Sequence, residues 1–369
     1  MPFNSHINNI AKVLELSEQA FRDDILGETL DQADDQTEAL ELLHIQEAKC
    51  VVISLCQQDH LGIHTVPTEE CKCLFRLTYT EIQSIYVLFK MRDKVCIEKG
   101  CSTLLSVPVT EALAIQLHLL LLFGRNSTDI SRISNHVMCL LHLKFGRVMI
   151  FDYCQFDPKN LGKFSNAIRA LGPPVEHCVR FLDSTFKETA RPTENQKTIY
   201  SGQGLNYQAV VTPNRITSSF YGLVAGRHHG MTVFYESSIE MHMRKALDFR
   251  SIGRPYYHLY ADREYAFSEF VMRPFAETKE DSPEYIGNQD MSSARVVVEK
   301  EFAHVENLFA YVNYAQTQRI LQGNVSSYYI VATLFKNLYV CYNRRNQTSM
   351  RFKASSPTPM EYIAGLLNH

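Results

Sequence analysis

Residues 175–185 read VEHCVRFLDST, a largely apolar run that closes on Asp183. It follows the break Gly172-Pro173-Pro174, so the pattern predicts a strand over Val175–Leu182 with Asp183 at its end. Two further carboxylates stand in comparable frames. Asp262 closes the Tyr-rich run before YADREY (260–265), and Glu299 lies in RVVVEKEF (295–302). Seventy-eight residues separate Asp183 from Asp262, and thirty-six separate Asp262 from Glu299. Carboxylates at two strand ends and on a later helix can converge on divalent cations. Two such ions about 4 Å apart activate a water and stabilise the leaving oxygen in phosphodiester cleavage. The spacing therefore points towards a nuclease or strand-transfer enzyme.

The segments between these acids predict a mixed α/β order. Leu205–Val211 and Ile216–Tyr221 read as a hairpin around Pro213-Asn214. Met231–Phe249 reads as a helix and Tyr256–Ala261 as a strand ending at Asp262. A variable polar stretch, Glu277–Asp290, precedes a helix over Ala294–Phe309 capped by Ser292 or Ser293. The three valines before Glu299 favour a strand, whereas their surroundings favour a helix. On a helix Arg295 falls one turn before Glu299, so an ion pair between them is the plain structural alternative to catalysis. The resulting order, β-β-β-α-β-α, is that of a ribonuclease-H-like sheet.

Upstream, Glu111–Phe123 predicts a helix, Gly124–Asn126 a turn, and Asp129–Phe145 a second helix capped by Ser127 or Thr128. This is the outline of a helix-turn-helix. Arg125, Asn126, Ser127, Arg132 and Asn135 stand where base and phosphate contacts would arise. A two-helix hairpin in a bundle is the alternative. Glu81–Met91 reads as an amphipathic helix within an otherwise ambiguous stretch, 50–110.

The chain of 369 residues is 45% hydrophobic and 21% charged, an ordinary globular composition. Its net charge of −3 is unevenly placed. Residues 1–49 carry eleven acids against Lys12, Arg22 and Lys49, a net of −8, so the other 320 residues carry +5. The bulk of the chain is thereby compatible with a polyanionic partner. Ten cysteines form no CxxC pair, and Cys71-Lys72-Cys73 near His60 and His64 falls short of a zinc pattern. MPFNSHINN lacks an apolar core, which predicts no signal peptide and an intracellular chain with reduced thiols. The apolar run Leu117–Phe123 is too short to span a bilayer. No G-x-S-x-G elbow or P-loop occurs, and SGQGLN (201–206) precedes a strand, which argues against a dinucleotide cradle.

From about Leu104 to Glu361 the motifs resemble those of the PIF/Harbinger transposases and the nucleases derived from them, a DDE superfamily. The resemblance rests on LFGRNSTDISRISN (122–135), FLDSTFKETARP (181–192), QKTIYSGQGLNYQAVVTPNRI (196–216), YGLVAGRHHGMTVFYES (221–237), LYADREYAFSEFVMRPF (259–275), NQDMSSARVVVEKEFAHVENLF (288–309) and YYIVATLFKNLYVCYN (328–343). It implies a DDE core at 171–350, preceded by a helical region (50–170) with the helix-turn-helix-like segment 111–145 and by the acidic, partly disordered segment 1–49, and followed by a tail at 351–369. It implies catalytic and metal-binding roles for Asp183, Asp262 and Glu299, with Mg²⁺ or Mn²⁺ as cofactor. DNA is the implied substrate, the nucleus the implied location, and a Myb-like accessory protein a frequent partner. A homo-oligomer is compatible with it. Arg125, Asn126, Arg132, Lys187, Arg191 and His229 would face DNA, and His228 and Arg263 could hold phosphates. Three positions depart from the family pattern: Ser184 and Ala261 each replace a glycine, and Gly230 stands where an Asp opens the helix after the third strand. The last departure raises an alternative, a domesticated copy that binds DNA or protein without cutting. A purely structural interaction protein using the acidic segment is a third.

Overall fold

The computed structural model describes residues 62–98, 104–118, 125–172, 176–188, 204–225, 230–247, 256–276, 278–312, 325–344 and 346–368. The acidic segment, the run Cys50–Cys56, Arg191, His228 and His229 lie outside them. The elements begin with α1 (Thr68–Phe75), α2 (Tyr79–Leu88), the strands β1 (Lys94–Glu98) and β2 (Leu104–Pro108), and α3 (Val109–His118). They continue with α4 (Ser127–Ile150), α5 (Pro158–Arg169), β3 (Cys178–Glu188), β4 (Gly204–Val211) and β5 (Thr217–Ala225). Next come α6 (Gly230–Ser237), α7 (Ile239–Leu247), β6 (His258–Tyr260), β7 (Val271–Met272) and α8 (Pro283–Leu308). The last are α9 (Val325–Tyr342), α10 (Gln347–Arg351) and α11 (Pro359–Leu367). β1 and β2 form an antiparallel pair that the ambiguous composition of 50–110 conceals.

The main sheet is mixed and has the order β5-β4-β3-β6-β7. β3, β4 and β5 are joined antiparallel, whereas β6 and β7 add in parallel. Helices cover both faces, because both faces of the central strands are apolar. On one face Val179, Leu182, Val210 and Leu259 meet Leu161 and Phe164 of α5, Phe234 of α6, and Ile239 and Met243 of α7. On the other, α8 packs on β3 and β4, and α9 packs on β5 and α4. There Tyr207, Phe220 and Tyr329 stack with ring centroids 4.8–5.7 Å apart. Gly222 permits this stack, since a Cβ at that position would stand 2.0 Å from the Tyr207 ring.

Several boundaries differ from the sequence expectation. β3 runs through Asp183 to Glu188 and does not end there, because β4 pairs with it as far as Glu188↔Gly204. Asn126, not Ser127 or Thr128, caps α4, its Oδ1 accepting from the Asp129 amide at 2.8 Å. The helix expected over Met231–Phe249 is broken at Ser238, whose φ of 51° ends one helix and lets the next begin. α8 starts eleven residues earlier than expected. Its true signal is Ser282-Pro283, a capping hydroxyl followed by proline in the first turn. From Pro283 to Asp290 the variable stretch forms the first two turns of this helix, where Gly287 is buried, and Met291, Ala294 and Val298 continue the buried side at helical spacing. The same burial decides the valine conflict: Val297 and Val298 pack as part of a helix. The stretch expected as a tail carries α11, closed by a Thr358/Glu361 capping box and packed on α9, α4 and α2.

A buried ionic cluster locks α8 to α9 and to the β4–β5 turn. Glu301 on α8 pairs with Lys336 on α9, which is wholly buried, and with Arg215 Nε at 3.2 Å; His304 Nδ1 lies 3.5 Å away. Lys336 also donates to Thr217 Oγ1 at 2.8 Å and to the Arg215 carbonyl at 3.3 Å. Burial alone would raise the Glu301 pKa, but Lys336, His304 and Arg215 draw it below the ordinary carboxylate value. Removing one partner leaves a buried charge exposed to apolar surroundings. Lys336→Met is therefore expected to lower unfolding free energy by about 3–5 kcal/mol in urea titrations, and the pair Lys336→Met/Glu301→Gln to recover a large part of that loss.

Candidate active site

Side chains alternate along β3, so Phe181, Asp183 and Lys187 share the face under α8. Two contacts join them to it: Arg295 Nη1 donates to Asp183 Oδ2 at 3.1 Å, and Lys187 Nζ pairs with Glu306 Oε1 at 2.5 Å. The β3–β6 register sets Phe181 beside Tyr260. Continuing that register by two residues brings Asp262, just past β6, alongside Asp183 on the same face. Adjacent strands lie about 4.8 Å apart, so the two carboxylates are close neighbours. Asp183 is thus at the level where its parallel neighbour ends, even though its own strand continues.

Glu299 reaches the same place from α8. Arg295 and Glu299 are four residues apart on one helical face, and the Arg295 guanidinium pairs through Nη2 with Glu299 Oε1. One cation therefore bridges Asp183 and Glu299. The carboxylates are further oriented by backbone amides: Ser184 donates to Asp183 Oδ1 at 2.9 Å, and Glu264 donates to Asp262 Oδ1 at 2.8 Å. Asp183 is buried, Asp262 half-buried and Glu299 exposed. Burial pushes the Asp183 carboxyl up to about 6; Arg295 and the Ser184 amide oppose this, whereas Asp262 and Glu299 reinforce it as like charges. The ion pair expected between Arg295 and Glu299 exists, and through Arg295 it connects Glu299 to Asp183. Among the described residues, no three His, Cys, Asp or Glu side chains are already drawn together in metal-holding geometry.

The neighbouring surface is a cleft of about 450 Å³, lined among others by Tyr260, Asp262, Arg263, Tyr285, Gln289 and Arg295. Its tyrosines escaped the sequence reading. The signal was the Tyr-rich run 256–265, and Tyr285 was hidden in the stretch read as variable and polar. Neither Ser184 nor Ala261 has a positive φ, so both fit where the resembling family has glycine.

Other expected contact residues have partners within the fold. Arg125 Nε pairs with Glu111 Oε1 at 2.6 Å, both side chains largely covered. Asn126 is the α4 cap, and Lys187 is held by Glu306. Arg132 is exposed, with Asp129 3.8 Å away. α4 is 24 residues long, and its apolar side, including Ile133, Val137, Leu141 and Phe145, is buried. Cys71 is a buried thiol, pushed up to about 11 by burial and by Glu81.

The raised Asp183 value has a defined sign in stability. Below the ordinary aspartate value both folded and unfolded chains hold the proton. Between that value and about 6 only the folded chain does, so stability falls as pH rises through this window. In metal-free buffer the wild type should lose about 2 kcal/mol relative to Asp183→Asn between pH 4 and pH 6.5, read from denaturant titrations across that range.

No curated protein and no solved structure matches the chain. Residues 182–341, which contain Asp183, Asp262 and Glu299, match the family model described as DDE superfamily endonuclease.

Proposed function

We propose that the chain is a metal-dependent DNA endonuclease of transposase type, of the PIF/Harbinger kind, acting in the nucleus and taking part of its DNA recognition from a Myb-like partner. The observation that carries the reading is the acidic pair Asp183 and Glu299 sharing the cationic head of Arg295, with Asp262 one strand over. The sheet order supports a ribonuclease-H-like core: an antiparallel trio extended by two parallel strands, with a long helix laid across the central strand. The match over 182–341 supports a transposase-type nuclease.

The donor set fits a hard divalent cation. Asp183, Asp262 and Glu299 offer only carboxylate oxygens, the ligands Mg²⁺ and Mn²⁺ prefer. Arg295 already stands as a positive charge between two of them. Bound there, divalent ions would supply Lewis-acid activation of water and neutralise charge on the leaving oxygen. The chain's own residues prepare this. The Ser184 and Glu264 amides hold Oδ1 of each aspartate, while Oδ2 of Asp183 is taken by Arg295. Arg295 would have to release Asp183 and Glu299 for them to hold a cation, and its guanidinium would then be free to donate to a phosphate oxygen.

Purified full-length protein, with its partner where one is required, is expected to nick DNA carrying the element ends in Mg²⁺ or Mn²⁺. Asp183→Asn, Asp262→Asn and Glu299→Gln should each lower the rate by about 10³-fold or more. Undiminished nicking by Asp183→Asn sinks the assignment.

A second reading, a domesticated copy that binds without cutting, is favoured by Gly230. It opens α6, and the next residue, Met231, accepts through Sδ from the Ala266 amide at 3.1 Å, in the turn that follows Asp262. By the pattern of the resembling family a carboxylate would stand at this position. On this reading the native chain binds Mn²⁺ weakly and does not nick, and Gly230→Asp raises Mn²⁺ affinity by about tenfold or more in calorimetry. Tight Mn²⁺ binding by the native chain removes its basis.

A further inference from the structure

We infer that the cleft beside Asp262 is a subsite for a single nucleotide of the DNA, the one flanking the scissile phosphate, held out of the base stack. The inference rests on the nuclease reading and assigns that site a local substrate form.

The cleft, about 450 Å³, lies within the range of small-ligand sites and suits one nucleotide; a duplex does not fit. Its walls are preformed. Asn288 on α8 uses both ends of its amide on Phe275, accepting from the Phe275 amide at 2.9 Å and donating to its carbonyl at 3.1 Å. This pins the chain after β7 against the helix, so the cleft does not depend on a ligand to exist.

The lining matches a planar, singly charged ligand. Tyr285, half-buried on α8, offers an aromatic face, and the exposed amide of Gln289 one helical turn on offers both a donor and an acceptor for a base edge. Tyr260 lines the cleft from β6. It is 2% exposed, and its buried hydroxyl has no hydrogen-bond partner. A buried hydroxyl left unpaired is costly, and a ligand acceptor would relieve it. Arg263 is exposed and pairs with no carboxylate among the described residues, which leaves its guanidinium for a phosphate. Asp262 on the same wall disfavours a polyphosphate, whereas a phosphodiester brings one negative charge. Because Asp262 belongs both to the cleft and to the acidic cluster, a nucleotide seated there would have its phosphate next to the reacting centre. Enzymes that do chemistry on a base pull its nucleotide out of the stack, and sequence-tolerant stacking on an aromatic ring holds unpaired bases.

The test uses the full chain and two duplexes of one sequence, one fully paired and one with a single unpaired 2-aminopurine. The wild type is expected to bind the unpaired form about tenfold or more tightly, with quenched 2-aminopurine fluorescence from stacking. Tyr285→Ala should bring the preference to within about twofold and restore the fluorescence, whereas Tyr285→Phe should keep both. Tyr260→Phe, which removes only the hydroxyl, should cut the preference by about threefold or more. Equal affinity for the two duplexes overturns the proposal, as does a preference untouched by both Tyr285→Ala and Tyr260→Phe. Nicking of the paired duplex is followed in parallel. Nicking without the preference removes the subsite and leaves the nuclease reading standing, whereas preference and quenching without nicking support the subsite and count against cleavage.

Discussion

The acidic site depends on the rotational setting of α8, and the buried charge of Glu301 determines that setting. Each residue advances about 100° around a helix, so Glu299 lies roughly 200° from Glu301. With Glu301 committed to Lys336 and Arg215, Glu299 is turned to the opposite side, and Arg295 one turn earlier faces β3. The Lys187–Glu306 pair fixes the helix along its length as well. From Asp183 to Lys187 the strand advances about 13 Å, and from Arg295 to Glu306 the helix advances about 16 Å, so two ion pairs in the same sense keep helix and strand in step. A polar side chain inside the core thus specifies where a polar side chain outside it points.

At the site itself like charges are gathered at a cost that is only partly offset. Asp183 is desolvated and sits with two other carboxylates, and one guanidinium spans two of the three. Such a cluster has an unmet demand for positive charge, which is the electrostatic basis for expecting cations there. The opposite face of β3 carries a second buried charge. Arg180 is fully covered, its guanidinium 3.4 Å from the Phe156 ring centroid, and burial lowers its pKa to about 9. The central strand is therefore charged on both sides at a spacing of three residues, and neither charge belongs to an ordinary hydrophobic core.

The three carboxylates were legible because each closes or interrupts an apolar run, a pattern that depends on neighbours in sequence. The hairpin at 204–225 followed from the same local signals. What was illegible depended on distant partners. Lys187 looks like a phosphate contact until Glu306, 119 residues on, closes over it. Asp183 looks like a strand end until β4 extends β3 beyond it. The first third of α8 looks like a loop because its exposed residues are polar and its buried ones are few, and only packing reveals Gly287 and Met291 as an inward face. The cleft belongs to no single segment, since β6, the chain after β7 and α8 each supply part of it.

β6 has three residues and β7 two, whereas β3 has eleven. The backbone bonds that hold Asp262 are few and lie towards the edge of the sheet; those that hold Asp183 are many and central. The site consequently has a stiff jaw and a compliant one. Asp183 acts as the fixed reference point, and the Asp262 side can yield by small amounts without disturbing the core, because local opening is easiest where ladder bonds are fewest. Such an asymmetric grip suits a polymer substrate that must be seized at one place, cut and then let go.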